Sequence, residues 1–453
     1  MLLPLRSEDQ QMPDHLQVET LENLVQFYAS KGVTRLYMKV LAKNNNSKQQ
    51  IYLGASFAAL TMFPTLGIFS DPNDDNPIFK ARLDFYWMMA GGALYHAPAT
   101  QIVFYPQYPE VRLSGFLEGC ANGPSDLLDQ KTCQPGRLMF FGVHPDGRII
   151  ASILPHTHAI ANEIRHAHGI QKIRIFYEIP VGADPKEELL RKLKEIHLKG
   201  WMNSRKLDTD GNDLPCNDSH CGGYTFESEF GIRPNGDADP DFKGWELKQY
   251  GVRKFTRLDS SVITLMTPEP TSGYYKSNGV IDFVRRFGYK DRLGREDRYN
   301  FGGIHKVGIK HHRTKLTLTL VDFDSTSGQI LSKSAGISLL TDEGEEAASW
   351  RYVDLMNHWN KKHAQAAFIP SMCTLEPSRK YCYGNIVKLG EGVDFLLFLE
   401  AMFKGRIYYD PGIKVENASA TRPTTKRRSQ FRVKSGNLAE LYLKMSTVDV
   451  LTV

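Results

Sequence analysis

The residues best placed to do chemistry lie together in Asp241-Phe-Lys-Gly-Trp-Glu246-Leu-Lys248. Lys243-Gly244 reads as a turn, and Trp245 to Lys248 alternates as a strand, so Glu246 and Lys248 share one face. Asp241 closes onto that face across the turn. Two carboxylates a few Å apart repel unless a cation lies between them, and hard oxygen ligands select Mg²⁺. Lys248 is then placed to hold or deprotonate a water while the metal stabilises charge on a phosphate. Tyr224-Thr-Phe-Glu227 reads as the start of a short helix, and Glu227 is a third acid for the metal or for orienting its ligands. The bland alternative is a solvated hairpin whose charges have no common purpose.

Three segments carry more than spacing: Gly223-Tyr-Thr-Phe-Glu227, Pro240-Asp-Phe242 and Gly244-Trp-Glu-Leu-Lys248. Together they resemble the PD-(D/E)xK nucleases, and within them the MvaI/BcnI restriction endonucleases and their relative, the mismatch-repair nickase MutH. The resemblance implies that Asp241 and Glu246 ligate Mg²⁺, that Lys248 is the catalytic lysine, and that Glu227 assists from its helix. It also implies a mixed-sheet nuclease domain over residues 181–453, giving an α/β (α+β) chain, with Lys362 to Pro370 and Lys380 to Gly384 as late strands beside the DNA cleft. Near the end, Gly405 to Lys414 and Lys426 to Arg432 resemble the family's base-reading segments. That assigns DNA contact to Asp410, Lys414, Lys426, Arg427, Arg428, Gln430 and Arg432. Arginine and lysine suit guanine O6 and N7, and Asp410 suits cytosine N4. This loop is rich in arginine where the relatives carry histidine, and Arg427 and Arg428 could instead touch only phosphates. Phe431 should point inward, with Gln430 and Arg432 on the outer face.

The first 180 residues read differently. A helix is predicted over Leu16 to Tyr28, followed by two strands from Thr34 to Gly54 around a polar turn at Asn44, Asn45 and Asn46. Further alternating segments run Ala81 to Trp87, Gln101 to Tyr105, Glu110 to Gly115 and Arg137 to Val143, which predicts a barrel or sandwich. Tyr37-Met-Lys-Val-Leu-Ala-Lys-Asn44 and Gln50-Ile-Tyr-Leu-Gly54 resemble the N-terminal effector domain of the EcoRII restriction endonuclease. The resemblance implies a B3-like β-pseudobarrel that binds DNA without cutting it, with the arms around Arg82 to Tyr86 and Tyr105 to Arg112 in the major groove; Lys39, Lys43 and Lys48, around the polar turn, are placed to meet phosphates. The histidines between 144 and 168 share no helical face and read as partly exposed rather than metal-bound. Pro180 to Ala183 reads as a linker. Asp184 to His197 reads as a capped helix with Pro185 in its first turn, and it opens the second domain.

Composition narrows the class. The 453 residues carry a net charge of +5, with 41% hydrophobic and 24% charged residues, as in ordinary globular chains. No apolar run approaches the eighteen or so residues a membrane helix needs, and the opening Met1-Leu-Leu-Pro-Leu-Arg lacks the pattern of a secretory leader. Six cysteines do not suggest a disulfide framework, so a reducing cytoplasm is expected; Cys216, His220 and Cys221 make at most half a zinc site. Basic residues cluster at Arg253-Lys254, Arg285-Arg286, His311 to Lys315 and Arg422 to Lys434, as a phosphate-neutralising groove requires. The family expectation is a type II restriction endonuclease acting on duplex DNA as a monomer. The two resemblances together point to CCWGG, with a second copy of the site bound by the N-terminal domain and a cognate methyltransferase implied. A partner-directed repair nickase and a DNA-binding regulator with an inactive nuclease domain are the alternatives.

Overall fold

The computed structural model describes residues 15–43, 49–57, 59–70, 78–108, 110–129, 133–167, 170–218, 220–234 and 240–453. Lys48, the turn at Asn44 to Asn46, and His168 lie outside the described residues.

Among the described residues, strands between Arg35 and Ile179 pair only with one another. They form a seven-stranded sheet, which includes Arg35–Leu41, Arg137–Val143 and Ile149–Leu154, and a five-stranded sheet, which includes Gln50–Gly54 and Glu110–Ser114. Arg137–Val143 is buried along its whole length because both faces are covered. Met139 and Phe141 face the core shared with the five-stranded sheet, whereas Leu138 and Phe140 face helices Leu21–Ser30 and Ile160–His166. No barrel closes among the described residues. The strands on either side of the Asn44 turn do not pair with each other; they belong to different sheets.

The second half is built on a mixed sheet. Gln365–Thr374 is its spine, pairing antiparallel with Lys380–Tyr383 and Ile386–Val393 and parallel with Glu246–Gly251. Tyr442–Asp449 adds to Ile386–Val393 at the edge. Helix Pro185–Leu198 covers one face through Leu189, Leu193 and Ile196, packed with Leu247, Ala367 and Ile369. Helices Tyr352–His363 and Phe395–Phe403 cover the other with Trp359 and Phe398, whose rings are 4.9 Å apart. Asp184 caps the first helix by accepting from the Lys186 amide at 2.8 Å.

Four expectations change. The N-terminal helix begins at Leu21, where the Thr20 side chain caps it; Leu16 and Val18 are buried but precede it. The segment Ala81 to Trp87 is two strands, Phe79–Arg82 and Phe85–Met88, in different sheets. Lys362 and His363 end a helix rather than start a strand. Cys216 and Cys221 form a disulfide, where the sequence suggested no disulfide framework and at most half a zinc site, because the chain folds back over five residues to start helix Cys221–Ser228.

Among the described residues several contacts join the halves of the chain. The Asn357 side chain accepts from the Ile68 amide at 2.8 Å and donates to the Ile68 carbonyl at 3.1 Å, docking strand Ile68–Ser70 on helix Tyr352–His363. Lys186 reaches Glu391 at 2.6 Å close to where Arg35 pairs with Glu178, and the Arg35 guanidinium feels both acids.

Candidate active site

The turn that brings the acids together is a two-residue hairpin. Phe242 and Trp245 exchange backbone hydrogen bonds at 2.9 and 2.7 Å, and Lys243 and Gly244 both take positive φ, 44° and 88°. That geometry fits the right-handed twist of the flanking backbone and suits glycine at the second position. The Lys243 amine fixes the turn to helix Pro185–Leu198 through Glu188 at 2.5 Å. Beyond it, Trp245 and Leu247 enter the core while Glu246 and Lys248 take the opposite face, as the alternation predicts.

Asp241 folds back over this face, its Oδ2 accepting from the Leu247 amide at 2.8 Å. Glu246 is only 3% exposed; its Oε1 receives Lys248 Nζ at 2.6 Å, and its Oε2 is buried with no hydrogen-bond partner among the described residues. A buried carboxylate oxygen left unpaired is costly, and a cation is what would satisfy it. Burial and the neighbouring Glu246 push the Asp241 carboxyl up to about 6. Glu227 goes up to about 7, through burial first and then Asp241. Three acids therefore crowd one pocket. No group of three metal-holding side chains is preassembled among the described residues; Asp241, Glu246 and Glu227 are the acids here that could hold a cation.

Helix Cys221–Ser228 holds Glu227 from both ends. Tyr383 donates to the Gly222 carbonyl at 2.8 Å, and just past the helix Glu229 is pinned by Lys199 and Arg205, each at 2.5 Å.

Sequence reasoning missed one member. Lys362 Nζ lies 4.0 Å from Glu246 Oε1 and its charge is felt by Asp241 and Glu227. It is placed by its neighbour: His363 is fully buried, bonded to Tyr442 Oη and the Leu265 carbonyl at 3.0 Å each, and held neutral, its pKa down at about 3 through burial first and then Lys248. No local motif signals Lys362. The parallel register of Glu246 with Ala366 brings it in.

The C-terminal residues expected at DNA form one patch. Lys414 faces Lys426 across paired strands, and Lys426, Arg427 and Arg428 are exposed. Phe431 is fully buried, as expected, with Gln430 and Arg432 half-buried beside it. Asp410 is taken by Arg432 at 2.8 Å, so the two act as a pair rather than separately. In the first half, Arg82 is exposed over the Phe69 ring, Arg112 is held by Glu110 at 2.7 Å, and Lys39 is buried.

Two carboxylates on a hairpin with a lysine two positions on, in a mixed sheet flanked by helices, define a centre of the PD-(D/E)xK nuclease class. The family model for the MvaI/BcnI restriction endonuclease family matches residues 190–442, and the chain belongs to that family. Solved structures of the restriction endonuclease MvaI are similar in part. Its complex with cognate DNA superposes with a TM-score of 0.44 at 18% identity, covering 59% of this chain and 99% of that one. The form without DNA gives 0.34 at 15% identity, covering 60% and 100%. No curated protein matches the chain.

Proposed function

We propose that this chain is an Mg²⁺-dependent type II restriction endonuclease that hydrolyses phosphodiester bonds in double-stranded DNA at a short specific site. The buried Oε2 of Glu246, unpaired among the described residues and beside Asp241 and Lys248, carries the reading. Mg²⁺ held by Asp241 and Glu246 would stabilise charge developing on the phosphate. Lys248 is placed to orient the attacking water by hydrogen bonding. Glu227, raised in the metal-free protein by burial and then by Asp241, is the third acid beside the pair. Lys362 adds positive charge on the same side. The test is digestion of a plasmid of known sequence in Mg²⁺ and in EDTA, with sequencing of the ends. Discrete Mg²⁺-dependent fragments support the reading. Nicked plasmid alone would favour a repair nickase, and intact plasmid that is nevertheless bound would favour an inactive regulator.

We further propose CCWGG as the site, read by the patch from Asp410 to Arg432, with residues 1–180 as a second DNA-binding unit and residues 181–453 as the nuclease. The resemblances support this, as does the separation of strand pairings at residue 180. The enzyme acts as a cytoplasmic monomer alongside a methyltransferase of the same specificity. The fragment ends read out the site directly, and sedimentation of the protein reads the oligomeric state.

A further inference from the structure

A cavity outside the carboxylate cluster lies in the N-terminal half. It holds about 240 Å³ and opens between strands Arg35–Leu41, Gln50–Gly54 and Glu110–Ser114. Lys39 and Arg137 both line it, and both are nearly lost to solvent, at 9% and 4% exposure. Lys39 alternates with Tyr37 and Leu41, which are core residues, so the strand aims its amine inward. Its one contact among the described residues is the Tyr52 ring, 5.9 Å from the nitrogen. Arg137 donates to the carbonyls of Gln134 at 2.6 Å, Ala42 at 3.2 Å and Leu127. Among the described residues neither cation has a carboxylate within ion-pair distance. The one acid on the described lining, Glu110, is consumed by Arg112 at 2.7 Å.

Two desolvated positive charges facing one cavity, with the local acid already paired, is an arrangement that costs stability until an anion enters. Burial accordingly depresses both the Lys39 amine and the Arg137 guanidinium. Arg137 has a structural use, since it ties three backbone segments together. Among the described residues Lys39 has none. The cavity is larger than one oxyanion, and Tyr52, 42% exposed beside Lys39, offers a flat ring to whatever the anion is attached to.

We propose that this cavity binds a single phosphate group carrying a sugar or nucleoside, with Lys39 as its principal partner. The phosphate comes either from the backbone of a duplex lying across this face or from a free nucleotide. The first source rests on reading residues 1–180 as a DNA-binding unit, and the second does not.

The experiment uses the full chain in EDTA, so that binding is measured without cleavage, and compares wild type with Lys39→Met and Lys39→Arg. Binding of labelled duplexes of several sequences is followed from 50 to 200 mM salt, and binding of adenosine 5′-monophosphate by calorimetry. If the phosphate belongs to a duplex, Lys39→Met weakens binding about tenfold for every sequence and reduces the log–log salt slope by about 1, while Lys39→Arg keeps both. If it belongs to a free nucleotide, duplex binding is unchanged and the monophosphate binds wild type but not Lys39→Met. Thermal melting of Lys39→Met at or above the wild-type temperature shows that the lysine is not a structural tie. Unchanged duplex binding together with no monophosphate binding to wild type overturns the proposal. Absence of Mg²⁺-dependent cleavage would sink the nuclease reading and leave these binding results unaffected.

Discussion

The crowding of three acids around the hairpin makes a prediction about stability that does not depend on cleavage. Asp241 moves from 3.8 to about 6 and Glu227 from 4.5 to about 7, each chiefly by burial. Raised acids are favoured in their neutral form by the fold. Their contribution is fully present below the unfolded values, near 4, and is lost as pH rises through 6 and 7. A tenfold change in proton affinity corresponds to about 1.4 kcal/mol, so either group alone would contribute about 3 kcal/mol. The two are coupled, so together they give less than the sum, on the order of 3–4 kcal/mol. At about 2 °C or more per kcal/mol, the metal-free protein should lose several degrees of melting temperature between pH 5 and pH 7.5. Asp241→Asn removes one acid and relieves the other, and should flatten the profile and melt higher than wild type at pH 7.5. Mg²⁺ at that pH should restore much of the loss in wild type and little in the variant. The assay is differential scanning calorimetry in EDTA and in Mg²⁺ across that range. Parallel profiles for the two proteins would refute the argument, since they would mean the acids do not burden one another.

Other outcomes follow from single contacts. Asp241→Ala and Lys248→Ala should each lower cleavage by two or more orders of magnitude while specific DNA binding in Ca²⁺ persists, as gel shift would report. Lys362→Met should slow single-turnover cleavage by about tenfold or more without weakening DNA binding, since it removes one of two cations beside Glu246. Gly244→Ala should cost about 1–2 kcal/mol in chemical denaturation, because the strain comes from its φ of 88° and not from space; the nearest atom a methyl would meet is Gln365 Oε1 at 3.6 Å. Asn357→Ala should cost about 1–3 kcal/mol and speed hydrogen exchange at Ile68, whose amide loses its acceptor.

The core of the site was legible because it is local. Asp241, the turn, Glu246 and Lys248 fall within eight residues, and alternation alone separates their faces from Trp245 and Leu247. Lys362 was not, because a residue more than a hundred positions on becomes a neighbour only through a parallel strand pair, which leaves no local signature. The same segment was read as strand from Lys362, since Ala366 to Ile369 look extended and nothing announces that the helix runs to His363. Leu16 and Val18 gave a helical pattern without a helix: they are buried by neighbouring elements, while the Thr20 hydroxyl decides where the turns begin. The Cys216–Cys221 disulfide could not be read from spacing alone, because five residues also suit a pair of free thiols.

The parallel pairing of Glu246–Gly251 with Gln365–Thr374 also sets when the enzyme can exist during its own synthesis. The strand that carries the acids leaves the ribosome well before the strand it needs, by on the order of ten seconds at typical elongation rates. The sheet is completed later still, by Tyr442–Asp449, and Tyr442 also holds His363 behind the site. A nascent chain short of that strand therefore carries Asp241, Glu246 and Lys248 without the framework that gathers them. On the proposed function, the chain becomes competent to cut only after this edge strand has emerged and docked.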